Sequence, residues 1–247
     1  MVPKRLALYS RISDPLASFG MVCGMVFPIL MFPAAILYGL AELLIPELAR
    51  CNAANSYQRI RYLAKRSLRV ALIYGCCFGG LEFLLAAQLC EKLYGSTEAA
   101  TYLQWYCLLI PMLYCDAITD AMIKGLGQQT ASVRYNIFTS TLDVIFLYIL
   151  LPKYGMQGYF LSFLITHLIN FILSVRRLFK IVGPIISPKV PTLAIGGTVA
   201  SVLVVCRVNS AFIRTSAFLL VFFCLLFLLQ VLQKEDIHWM RGLIIKK

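Results

Sequence analysis

The stretch LASFGMVCGMVFPILMFPAAILYGLA, from Leu16 to Ala41, holds 26 residues and no charged side chain. A helix needs about 20 predominantly apolar residues to cross a hydrocarbon core about 30 Å thick, so this segment reads as a membrane span. It is about twice as long as a signal-peptide apolar region. It also follows a polar start, MVPKRLALYSRISD, and no cleaved signal is expected. Pro28 and Pro33 inside it each remove a backbone donor, which predicts a long, bent helix. Leu44-Ile45-Pro46-Glu47-Leu48, followed by Arg50, reads as its exit into water.

The rest of the chain repeats this pattern. Of 247 residues, 60% are hydrophobic and 14% charged, and the mean hydropathy is +0.81. An average soluble domain has about 45 to 50% and about 25%, so a water-soluble globule is excluded. Apolar runs without heptads or Gly-X-Y periodicity also exclude coiled coil, collagen and disorder. Further apolar stretches cover residues 69–90, 101–123, 134–151, 156–175, 190–206 and 214–233, beside the first at 18–45. The expected fold is all-α: a polytopic membrane helical bundle with about seven transmembrane helices.

Charge supplies the topology. The 23 Lys and Arg exceed the 11 Asp and Glu by 12. In so apolar a chain this excess points to loop orientation, and no nucleic-acid partner is expected. The side that contains the loop between the first two spans collects 16 of the 23 basic residues, from Arg50 to Lys247. The opposite side holds Lys4, Arg5, Arg11, Lys92, Lys153, Arg207 and Arg214. The positive-inside rule then puts the C-terminus in the cytoplasm of a multi-pass plasma-membrane protein, with the N-terminus outside. An odd number of spans entered from outside suggests that further spans precede this chain.

Ionisable and amide side chains inside the spans are the candidate functional groups, because each is costly in hydrocarbon. Asp116, Asp120 and Lys124 recur every four residues on one face of the third span. The fourth span carries Asn136, Ser140 and Asp143 on one face. The fifth carries Ser162, Thr166, Asn170 and Ser174 every four residues, with His167 beside them. Glu82 lies midway along the second span, next to Gly79 and Gly80, where a neighbouring helix could approach and supply a donor. Asp116, Asp120, Asp143, Asn136, Asn170 and Glu82 are the substrate-path candidates. The plain alternative is hydrogen bonding between helices in a dry bundle.

Between the first two spans, Tyr57, Ile60, Leu63 and Leu68 alternate with a basic set that includes Arg59, Arg61, Lys65 and Arg66. This reads as a helix lying on the membrane surface with its bases on anionic headgroups, or as a basic topogenic loop. Most of the nine cysteines sit inside apolar runs as small packing residues. His167 and His238 have no ligand-spaced partners, so no metal or cofactor is expected. Gly125-Leu126-Gly127 is a turn. No nucleophile with a base, Walker loop or paired DxD is present in the sequence, and an enzyme is not expected.

Several ordered segments carry a resemblance. GMVFPILMFPAAI (residues 24–36), LLIPELA (43–49), RSLRVAL (66–72), LYGS (93–96), ITDAMIKGLGQQ (118–129), YNIFTSTLDVIFLYILLPKYGMQGY (135–159) and NFILSVRRLFK (170–180) resemble the C-terminal half of one flippase family. These are the polysaccharide exporters and flippases of the stage V sporulation protein B type, in the multidrug/oligosaccharidyl-lipid/polysaccharide superfamily. The resemblance implies the second lobe of a fourteen-helix transporter over residues 1–182, then a C-terminal helix pair and cytoplasmic tail over 183–247. It implies a lipid-linked saccharide substrate, a cell-wall or polysaccharide precursor, moved across the plasma membrane by alternating access. Membrane lipids and an N-terminal half, missing or supplied by a partner protein, are the other partners implied. The family's first lobe has no counterpart in this sequence. Alternatives are a non-transporting membrane scaffold or remnant, and half of a cation-coupled drug exporter.

Overall fold

The computed structural model describes residues 2–9, 14–185, 187–208 and 210–231. Arg11, the last two residues of the seventh apolar stretch, His238 and the tail residues Lys234, Arg241, Lys246 and Lys247 lie outside the described residues. The helices are α1 (Val2–Leu6), α2 (Pro15–Met21), a π turn (Val22–Val26), α3 (Phe27–Ala53), α4 (Tyr57–Tyr94), α5 (Ala100–Cys107), α6 (Ile110–Gly125), α7 (Gln129–Val182), α8 (Lys189–Val205) and α9 (Ala211–Leu228). No strand occurs among the described residues, and the chain is an all-α polytopic membrane bundle.

Four helices are long and apolar enough to cross a membrane, and five when the bent pair α5 and α6, which meet at 52°, is taken as one span. Two features account for the difference from the seven expected stretches. The 17-residue α8 is short for a span. In α7, 54 residues contain two of the stretches, separated at Gly155, whose φ of 58° and ψ of −134° are not helical. The second arm folds back on the first: Ser162 Oγ lies 2.7 Å from the Asp143 carboxylate, and a Cβ at Gly158 would meet the Leu150 carbonyl oxygen at 2.5 Å. Gly155 takes a conformation that a side chain opposes by about 1–3 kcal/mol. Gly155→Ala is accordingly expected to lower the melting temperature of the detergent-solubilised chain. An unchanged melt would mean that the hairpin turns without this backbone geometry.

The first apolar span begins where Asp14 caps α2, its Oδ1 accepting from the Leu16 and Ala17 amides at 3.0 Å, with proline in the first turn. The irregularity in this span is a π turn at Val22–Val26, and Pro28 occupies the first turn of α3, where its missing donor is harmless. Pro33 lies inside α3. Two tyrosines reach that region: Tyr74 Oη donates to the Pro33 carbonyl at 2.8 Å and Tyr114 Oη to that of Leu30 at 2.9 Å.

Pro46 does not end the helix, because α3 continues to Ala53. The helix formers of Glu47-Leu48-Ala49-Arg50 carry it on, and α6 packs closely beside Pro46. A Cβ at Gly125 would sit 2.9 Å from the Ile45 carbonyl oxygen. The surface helix expected at residues 50–69 is corrected likewise. Asn55, at φ 52°, turns the chain, and residues 57–69 are the first turns of the 38-residue α4, continuous with the second span. No proline or glycine interrupts α4 before Gly75, so nothing in the sequence separates a surface segment from the span. Glu47 ties the resulting hairpin, accepting from Arg50 and Arg59 at 2.7 Å each.

α6 is the axis of the core, packed on α3, α4 and α7, with Ile110, Ile118, Met122 and Ile123 fully buried. α4 approaches it through glycines at GxxxG spacing, Gly75 and Gly79, which face Pro111 and the Cys107 carbonyl at the α5–α6 bend. α8 and α9 pack on each other and on α4, where Gly80 faces Phe218 and Thr198.

Candidate functional site

The polar stripe on the second arm of α7 organises the site. Residues four apart share a helical face, so Ser162, Thr166, Asn170 and Ser174 form a nearly straight row. Ser162, Thr166 and Ser174 are buried, and Asn170 is half-buried. The row meets two carboxylates. Asp143, from the first arm of α7, accepts from Ser162 Oγ at 2.7 Å and Thr166 Oγ1 at 3.4 Å. Asp116, from α6, accepts from Asn170 Nδ2 at 2.9 Å through Oδ2. Two acids 27 positions apart in the sequence thus bond to one helix face, one turn apart along it.

The two acids differ in what remains open. Asp116 Oδ1 and Asn170 Oδ1 are buried acceptors with no hydrogen-bond partner among the described residues. A buried acceptor without a donor costs about 1–3 kcal/mol, so the chemistry that complements this pair is a donor, such as a hydroxyl, an ammonium or water. Asp120 is placed otherwise. It pairs with Lys124 at 2.6 Å and accepts from Ser132 Oγ, at the end of α6. Asn136 is exposed on the first arm of α7, where it lines with Ser140 and Thr141 an open hollow of about 600 Å³. Asp143 itself turns toward the second arm.

Glu82 belongs to a different contact. It is 5% exposed, and its hydrogen-bond partner is the Cys107 thiol, 4.0 Å away on α5. The close helix foreseen beside Gly79 is therefore present, and the donor it brings is a thiol. Beside this contact an apolar groove of about 300 Å³ runs between Gly80, Leu108, Pro111, Thr198 and Val202.

Of the four basic candidates, Arg59, Arg61 and Lys65 are exposed on the first turns of α4. Arg59 pairs with Glu47, and Arg61 donates to the Pro184 carbonyl at 3.1 Å, which brings the end of α7 beside the start of α4. Arg66 is 6% exposed, its guanidinium 5.4 Å from the centre of the Tyr62 ring, so it points inward while the other three face outward. An aromatic knot also lies beside the stripe. Phe27 and Tyr106 pack at 5.3 Å, Tyr106 and Phe163 at 5.4 Å, and Phe163 stacks on His167 at 3.9 Å. Phe163 and His167 are readable as neighbours from their spacing of four. Phe27 and Tyr106, 79 positions apart, give no such signal.

The MatE family profile matches residues 10–149. Stage V sporulation protein B of Bacillus subtilis (strain 168) is 21% identical over 198 residues, covering 79% of this chain and 37% of that protein. Sporulation protein YkvU of the same strain is 26% identical over 134 residues, covering 53% of this chain and 30% of that protein. The chain thus spans about a third of the length of these curated relatives. No solved structure matches it.

Proposed function

Since the chain belongs to the MatE family, we propose that it forms one lobe of a membrane flippase that moves a lipid-linked saccharide from the cytoplasmic to the outer leaflet by alternating access. The observation that carries this reading is the convergence of Asp116 and Asp143 on the Ser162–Thr166–Asn170 row. In this reading the row is one wall of a path that opens toward an opposing N-terminal lobe, in the same longer protein or in a partner. The open acceptors Asp116 Oδ1 and Asn170 Oδ1 suit the hydroxyl-rich head of a saccharide. Residues 1–182 form the lobe and residues 183–247 the added helix pair and tail. In this reading the C-terminus lies in the cytoplasm, which the bias of basic residues among the loops supports. No covalent chemistry is assigned to any residue.

The test places a single cysteine at 116 or 143 in a background without the nine native cysteines and labels membranes with a water-soluble maleimide. Reaction at both positions is expected, together with accumulation of cytoplasm-facing lipid-linked saccharide when the protein is depleted. Silence at both positions rejects the path and leaves a non-transporting membrane body. That second reading takes its support from Asp120, whose carboxylate is engaged by Lys124 and Ser132. A change in drug resistance without saccharide accumulation would instead identify an exporter of drugs.

A further inference from the structure

The outer face at the end of α7 combines apolar and cationic side chains in adjacent rows. Phe171, Val175 and Phe179 form one row at spacing four, and Ile172, Arg176 and Lys180 form the next. Together these six residues line an open hollow of about 510 Å³. Arg176 and Lys180 are exposed, and among the described residues neither has a carboxylate within ion-pair distance. Their Cα atoms are separated by about 6 Å along the helix, so the two flexible side chains can hold one phosphate between them.

Depth agrees with this chemistry. Arg176 lies 20 residues beyond Met156, at the start of the second arm, a rise of about 30 Å and thus one hydrocarbon thickness. Phe171 and Val175 therefore face acyl chains, while the two cations, with Phe179 between them, reach the headgroup layer. Arg61 and the Pro184 carbonyl, 3.1 Å apart, place this rim at the same end of the bundle as the α3–α4 turn.

We propose that the hollow formed by Phe171, Ile172, Val175, Arg176, Phe179 and Lys180 is a binding site for an anionic phospholipid, with its phosphate on Arg176 and Lys180 and an acyl chain on the apolar row. Charge complementarity selects the lipid, and the apolar row holds it by shape-tolerant contact. Nothing in this site requires Asp116 or Asp143, so it stands whether or not the chain transports a saccharide.

The full chain is reconstituted in phosphatidylcholine vesicles, and the association of spin-labelled phosphatidylglycerol is measured relative to spin-labelled phosphatidylcholine. A preference for phosphatidylglycerol is expected, and R176Q/K180Q should lower it by roughly tenfold, about fivefold or less per cation. K153Q, an exposed cation at the hairpin turn of α7, should leave it unchanged. No preference in the parent chain overturns the site. So does a preference that survives R176Q/K180Q but is lost in R59Q/R61Q/K65Q, which would assign it to the start of α4. Displacement of the phosphatidylglycerol by an isoprenyl diphosphate at a hundredth of its concentration would make the occupant a carrier lipid and reject a phospholipid.

Discussion

Gly75→Ala is expected to destabilise the bundle by about 1–3 kcal/mol, and Gly75→Leu to prevent recovery of folded protein. A Cβ at Gly75 would lie 2.7 Å from the Pro111 Cα, a backbone atom that no rotamer change can move aside. Pro111 stands at the start of α6, next to the 52° bend, so it can retreat only if α6 leaves its place among α3, α4 and α7. Melting followed with a thiol-reactive dye reports the effect directly, because Cys76 and Cys77 are buried beside the glycine. Gly39→Ala is the control, since nothing lies within 4 Å of a Cβ there. It should melt at or slightly above the parent temperature, alanine favouring a helix over glycine by up to about 1 kcal/mol. A Gly75→Ala protein that melts with the parent would show that α4 and α6 leave room for a methyl group at this position.

Asn170→Leu should produce the second large effect. It removes the donor that Asp116 accepts from at 2.9 Å and leaves a half-buried carboxylate without that partner. The expected loss is about 1–3 kcal/mol of stability, seen as a lower melting temperature. Removing both polar groups, in Asp116→Leu/Asn170→Leu, should recover most of that loss, because an apolar pair leaves nothing unsatisfied. Under the proposed function the double variant is stable and inactive in saccharide flipping. If Asn170→Leu alone melts normally, water already reaches Asp116 and the amide is dispensable for folding. If the double variant still flips saccharide, the acid is no part of the path.

Much of this architecture is written in local pattern. The 26 uncharged residues from Leu16 to Ala41 specify a membrane helix because hydrocarbon admits little else. The row from Ser162 to Ser174 follows from spacing alone, and its meeting with Asp143 follows from the hairpin at Gly155, which lays the second arm of α7 back on the first. The contact of Asp116 with Asn170 is of another kind. It joins separate helices 54 positions apart, and only their packing decides which of several polar groups meet. Where local signals misled, a neighbour or the absence of a breaker was responsible. Pro46 resembles a stop, yet α3 runs through it beside Gly125 of α6. The basic stretch at 57–69 has the mixed composition of an interfacial segment, but an uninterrupted helix carries it into the span.

The wide turn at Val22–Val26 sets the phase of α2 relative to α3. A π turn accommodates one residue more than an α turn, so α2 is wound about 100° out of step with α3. That offset accompanies the edge-on seating of Phe19 against Tyr159, with ring centres 5.7 Å apart. Deleting a single residue between Val22 and Val26 would bring the two segments into step and swing Phe19 about a quarter-turn away from the start of the second α7 arm. Such a one-residue ratchet would undo the contact of Phe19 with Tyr159 while leaving the apolar stretch long enough for the bilayer.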